Sequence, residues 1–200
     1  MENRLEDKKI ASALLLFGII QWMLVIILAE GIQPNYISSI HYVSTLGTGQ
    51  TATFYNTSTV ILGTCITVAS ILIRKFNSSR LFFVLFLITG LATIGVGVFP
   101  EDSRPMHGFV TPIALIFCAL SGMVSYKFQE KPSAYFCLIL GVVSLVTGVW
   151  FIPYLGLSVE SKTLFMGVFK GTLERIVIYT NLLWVLILGS QLSKPPKTNP

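Results

Sequence analysis

IASALLLFGIIQWMLVIILA, residues 10–29, runs for twenty positions without an Asp, Glu, Lys or Arg, between the charged head ENRLEDKK (2–9) and Glu30. A helix rising 1.5 Å per residue needs about 20 residues to cross the roughly 30 Å hydrocarbon core of a bilayer. The run has that length, and it lacks the period-two alternation of a barrel strand. It is also longer than the apolar core of a secretory signal, and Leu28-Ala29-Glu30-Gly31 makes a poor cleavage site, so a retained helix is expected.

Five further long apolar runs follow, at 53–73, 80–99, 107–126, 134–152 and 172–190, bounded by charges, prolines or polar loops; 80–99 opens on Arg80, and the last carries Glu174 and Arg175 in its first turn. The whole composition agrees: 53% of the 200 residues are apolar, 12% are charged, and the mean hydropathy is +0.75. A globular chain carries roughly twice that charge. The expected fold is therefore all-α, a polytopic membrane bundle of six transmembrane helices forming a single integral domain over residues 1–200, with the lipid bilayer as its first partner. This composition excludes a disordered chain, a secreted disulfide scaffold and a soluble nucleotide enzyme.

Orientation follows from the basic residues, which are retained on the cytoplasmic side of the cell membrane. Ten of the fourteen Lys and Arg lie at the N-terminus (Arg4, Lys8, Lys9), in the second and fourth loops (Arg74, Lys75, Arg80, Lys127, Lys131) and in the tail (Lys194, Lys197). Both termini are expected to be cytoplasmic. The net charge of +5 is then accounted for by topology, and no nucleic-acid partner is implied.

Lipid tails give no hydrophobic reason for helices to associate, so small and hydroxyl residues should mark the packed faces. Such stripes run along 53–73 (Asn56, Thr59, Gly63, Thr67, Ser70), 80–99 (Gly90, Thr93, Gly97), 107–126 (Ala114, Cys118, Gly122) and 134–152 (Gly141, Ser144, Gly148). The three cysteines, Cys65, Cys118 and Cys137, lie within runs at no metal-binding spacing, and they read as small packing residues. No metal site or cofactor is expected. The first outer loop, rich in hydroxyl and apolar side chains, either lies on the membrane or folds back over the bundle mouth.

Charged groups at a membrane edge are costly unless paired or hydrated, which makes them the informative ones. Five of the nine acids and both histidines fall on the outer side. In the third loop, Asp102 or Ser103 is placed to cap the fourth helix, and His107 in its first turn could pair with Asp102 or Glu101. In the sixth helix, Glu174, Ile178 and Asn181 share one face, and Arg175 points elsewhere. One reading locks the sixth helix to the third loop, Arg175 with Asp102 or Glu101 and Glu174 with Arg104 or His107. Another makes Asn56, Glu101, Asp102, His107, Glu174 and Arg175 an outward-facing polar cluster for a lipid headgroup or small polar ligand, with Arg175 suited to an anionic group. A third uses His107, Asp102 and Glu174 as the acid, base or metal ligands of a membrane-embedded hydrolase or transferase. A small-solute transporter ranks behind these, because the spans carry few charges and no inverted repeat is visible.

Three segments carry a resemblance: Tyr42-Val43-Ser44-Thr45-Leu46-Gly47 with Phe54-Tyr55-Asn56, then Phe99-Pro100-Glu101-Asp102 followed by His107, then Gly171-Thr172-Leu173-Glu174-Arg175 followed by Trp184. In these the chain resembles a family of six-helix prokaryotic integral membrane proteins catalogued as a domain of unknown function. The resemblance implies the six-helix membrane fold and singles out these residues, and it supplies no activity.

Overall fold

The computed structural model describes residues 2–194, so the tail expectation placed on Lys197 lies outside the described residues. Six long helices dominate the described residues: α1 (Glu2–Ile32), α2 (Ala52–Arg74), α3 (Arg80–Val98), α4 (Arg104–Ser125), α5 (Ser133–Phe151) and α6 (Lys170–Leu192). All six are long and apolar enough to cross a membrane. Each packs on the next, α6 closes the ring against α1, and α4 also touches α6. Helices α1, α2, α3, α4 and α6 therefore enclose the axis, with α5 leaning on α4 and α6 from outside.

The polarity is that of a protein solvated by lipid. Phe17, Leu24, Ile27, Phe109 and Val149 are each more than half exposed, whereas Ser58, Thr59, Thr89, Ser121 and Asn181 are buried. A water-soluble bundle would reverse this arrangement. Buried hydroxyls stay satisfied by donating to the carbonyl one turn back, as Thr59 does to Tyr55 (2.8 Å) and Thr89 to Leu85 (2.9 Å).

The small-residue stripes act as spacing devices, most clearly between α2 and α3. A Cβ added to Gly63 would sit 2.5 Å from the Ile94 nitrogen, and one added to Gly90 would sit 2.7 Å from the Thr67 nitrogen. Only hydrogen fits where these backbones cross. On α5, Gly141 faces α4 and Ser144 donates to the Val177 carbonyl of α6 (3.3 Å), but Gly148 meets nothing within 4 Å. The expected stripe therefore ends one turn early.

Helix ends lie within three residues of the expected spans, except in α1. There the charged head continues the helix to Glu2, because its Glu and Lys are good helix formers and its charges find partners on the α2–α3 turn. Arg4 donates to the Phe76 carbonyl (2.7 Å), and Lys75 pairs with Asp7 (2.9 Å). At the start of α4, Ser103 holds the cap position without a side-chain cap bond and Asp102 is exposed, so the expected carboxylate or hydroxyl cap is not made. Pro105, whose missing N–H costs nothing in a first turn, begins that helix instead.

Connections at the end that carries the termini are short. The opposite, distal end receives loop 33–51, the turn 99–103 and loop 152–169. The last contains a two-residue hairpin, β1 (Leu164–Phe165) with β2 (Val168–Phe169), closed by Met166 and Gly167 at positive φ as a tight hairpin turn requires. The hydroxyl of the buried Tyr154 binds this hairpin, accepting from the Phe165 N–H (2.6 Å) and donating to the Val168 carbonyl.

Candidate functional site

Loop 33–51 folds into the distal mouth as two short 3-10 turns, Ser44–Gly47 and Gly49–Thr51, and buries Tyr42, Val43, Ser44, Leu46 and Gly47. A segment buried without helix or strand pairing must have its polar groups satisfied elsewhere. Here the surrounding helices supply the partners. Val43 N–H donates to Glu174 Oε2 (2.5 Å), Thr45 Oγ1 to Glu101 Oε2 (2.8 Å), Asn56 Nδ2 to the Gly47 carbonyl (2.9 Å), and Thr172 N–H to the Ser39 carbonyl (3.2 Å).

Arg175 is the largest single tie. Its guanidinium pairs with Glu30 at the end of α1 (2.6 Å), donates to the Tyr36 hydroxyl (2.6 Å), and reaches the carbonyls of Ser38 and His41. Burial pushes the Tyr36 phenol well above its ordinary range, so it stays protonated, accepting from Arg175 while donating to the Tyr42 carbonyl (2.9 Å). Gly171 makes the approach possible, because a Cβ there would run into the carbonyl oxygens of Ser38, Ser39 and His41. The neighbouring Lys170 is buried with its ammonium over the Tyr42 ring (4.7 Å) and donates to the carbonyls of Ser158 (2.5 Å) and Val159 (2.6 Å). Loop 33–51 is thus a plug, clamped from α1, α2, α4's approach turn and α6.

Beneath the plug lies a cavity of about 80 Å³ on the axis of the ring, walled by residues of α1, α2, α3, α4 and α6 with Ser44 as its ceiling. That is room for several waters or a ligand of a few heavy atoms. Its one carboxylate is Glu174 and its one imidazole His107. His107 Nδ1 lies 2.8 Å from the Phe99 carbonyl, which can only accept, so Nδ1 carries the proton and Nε2 is left as an acceptor in the neutral ring. Lower down, Asn181 Nδ2 donates to the Leu115 carbonyl (3.1 Å), which turns Oδ1 away. That Oδ1 and Thr111 Oγ1 are buried without a hydrogen-bond partner, and both residues line the cavity. Four other buried side-chain atoms among the described residues also lack a partner, Asn56 Oδ1, Trp150 Nε1, Arg175 Nε and Trp184 Nε1, but Asn181 and Thr111 are the two that line the cavity, and orphaned polar atoms facing a space call for an explanation.

Set against the expectations from sequence, the six candidates separate into three groups. Glu174 and His107 meet at the cavity. Asn56, Glu101 and Arg175 hold the plug. Asp102 is exposed on the turn before α4. The interhelical lock differs from the one expected: Arg175 pairs with Glu30 rather than Asp102 or Glu101, and Glu174 is held by a backbone N–H rather than by Arg104 or His107. Among the described residues no His nitrogen comes within 4.0 Å of a Glu174, Glu101 or Asp102 oxygen, so the carboxylate–imidazole pair is not formed. Nor does any group of three or more His, Cys, Asp and Glu gather there to hold a metal. Glu30, Tyr36, Thr111 and Asn181 carry roles that were not assigned to them. The signal for Asn181 is its place two turns below Glu174 on the same face; Glu30 and Tyr36 are distant in sequence from Arg175 and become its partners through the packing of α1 on α6 and the fold of the plug.

The three segments that carried the resemblance prove to be one another's partners. Val43, Thr45 and Gly47 of the first bind Glu174 of the third, Glu101 of the second, and Asn56 at the start of α2. Residues 16–191 match the family described as "Protein of unknown function (DUF998)", and the chain belongs to it. With six apolar helices this is a multi-pass membrane protein. No curated protein and no solved structure matches the chain.

Proposed function

We infer that this membrane protein is a binding protein for a small polar ligand, which it holds in the axial cavity beneath its own plug, with both termini cytoplasmic and the plugged mouth facing outward. The observation that carries this reading is the pair of orphaned polar atoms, Asn181 Oδ1 and Thr111 Oγ1, in a cavity that also receives Glu174 and His107. Intramembrane ionisable groups are costly and are retained mainly where a site uses them. The plug explains why so many polar groups surround such a site: Glu101, Asn56 and Arg175 hold the lid, and Glu174 bonds the lid with one oxygen while lining the cavity. Arg175 belongs to the clamp on this account, since its donors go to Glu30, Tyr36 and loop carbonyls and only Nε lacks a partner.

Acid-base chemistry on a lipid-like substrate has less support. His107 bonds a carbonyl and no carboxylate, and the plug stands between the cavity and the distal surface.

The test is recovery of the ligand. Wild-type protein in lipid nanodiscs, denatured and analysed by mass spectrometry, should release a small polar molecule in near-stoichiometric amount. A variant with Asn181→Leu and Thr111→Val, which replaces the two orphaned oxygens with methyl groups, should fold and release none. Equal recovery from both, or none from either, overturns the reading.

A further inference from the structure

The polar groups around the cavity are unequal in kind, and this inequality selects a ligand class. Glu174 is buried, and among the described residues no Lys, Arg or His nitrogen lies within 4.0 Å of its carboxylate. The two cations nearest to it in sequence are engaged elsewhere: Arg175 with Glu30 and Lys170 with the Ser158 and Val159 carbonyls. His107 spends its one donor on the Phe99 carbonyl and Asn181 spends one of its two on the Leu115 carbonyl, and each leaves an acceptor without a partner, Nε2 and Oδ1. Trp22, the one indole in the wall, spends its N–H on Thr59 (3.0 Å). What remains is a site with one carboxyl group that no cation touches, the free acceptors Nε2 and Oδ1, and the unpartnered hydroxyl of Thr111.

We propose that the cavity binds a small primary ammonium, the protonated form of a short alkylamine. The assignment rests on the function inferred above and names the class of its ligand. An ammonium brings a positive charge and three donors with no acceptor, the complement of a carboxylate beside an imidazole nitrogen. Its short alkyl stem suits the apolar wall between Glu174 and Asn181, formed by Leu115, Ile178 and Leu182, and the faces of Trp22 and Tyr55 suit a cation as well. A space of about 80 Å³ limits the ligand to a few heavy atoms. An anion would meet Glu174 with no compensating charge. A divalent or transition metal lacks its ligand set, as no cluster of three such side chains is present among the described residues.

Thermal unfolding of the full chain in nanodiscs tests this with four probes at equal ionic strength: ethylammonium chloride, potassium chloride, acetamide with background salt, and sodium acetate. Ethylammonium should give a saturable rise in melting temperature of about 5 °C at a hundredfold excess over its Kd, and the other three should give none. Glu174→Gln keeps an oxygen for the Val43 N–H and removes the charge; it should weaken the ethylammonium effect by about tenfold or more. Asn181→Leu, a separate variant that leaves the plug contacts untouched, should weaken it as well. An acetamide effect abolished by Asn181→Leu would overturn the ammonium assignment and leave a polar-ligand cavity standing. Potassium matching ethylammonium, or an ethylammonium effect unchanged in Glu174→Gln, would also overturn the assignment. No effect from any of the four probes would overturn both the assignment and the cavity site.

Discussion

Arg175 sits at the hinge between fold and site, and its surroundings predict how it fails. Its side chain is 12% exposed and that of its partner Glu30 is 28% exposed, so the pair is neither a surface bridge nor wholly dry. Replacing Arg175 with Ala leaves the Glu30 carboxylate, the Tyr36 hydroxyl and two loop carbonyls without their donor, and should cost about 3 kcal/mol of unfolding free energy in detergent or nanodiscs. Lys should rescue little of that loss, since one ammonium cannot replace a planar fork that serves several acceptors at once. Unchanged melting temperatures for both variants would show that the clamp is not made. The sequence marked Arg175 and Glu174 as costly and as facing different ways, which the structure bears out. It could not supply their partners, because Glu30 comes near through the packing of α1 on α6 and the Ser38 carbonyl through the inward fold of loop 33–51. A backbone N–H such as that of Val43 is invisible as a partner to any reading of side chains.

At the scale of elements, the glycines at close backbone contacts make the sharpest predictions. Gly90→Ala sets a methyl 2.7 Å from the Thr67 backbone nitrogen, which must move α2 and α3 apart. We expect a loss of about 1–3 kcal/mol, read by thermal unfolding, in contrast to Gly148→Ala, which meets only open space and should be neutral or slightly stabilising. Gly171→Ala acts differently. Its methyl would strike the carbonyls of Ser38, Ser39 and His41, so the plug should lift while the helices stay formed, seen as faster proteolysis within 36–47 at an unaltered helical content. All six spans were legible to within a few residues because bilayer thickness sets a length that composition records directly. The charged head of α1 and the hairpin at 164–169 were not, since neither is constrained by lipid. The composition of the plug, hydroxyl and apolar residues together, suits both a loop lying on the membrane and one folded into the mouth, and only the bonding partners distinguish the two.

For the whole molecule, the arrangement is a ring of helices closed at one end by short turns and at the other by a clamped loop, with an unevenly polar cavity between them. Its orientation in the membrane can be read by labelling: Ser158→Cys, on the distal loop, should react with an impermeant maleimide on intact cells, and Ser78→Cys, on the α2–α3 turn, only after permeabilisation. The native cysteines are all buried and should stay silent. The reverse pattern would invert the molecule and turn its mouth to the cytoplasm. The proposed site depends on the plug covering the mouth of the cavity, and hydrogen exchange measures that cover directly. In the wild-type protein in nanodiscs, amides of residues 42–47 should exchange as slowly as those of the neighbouring helices, and Arg175→Ala should speed them by about a hundredfold while the helices stay protected. Rapid exchange of 42–47 in the wild type, at the rate of the exposed loop 155–163, would contradict the plugged mouth and with it the account of the cavity beneath.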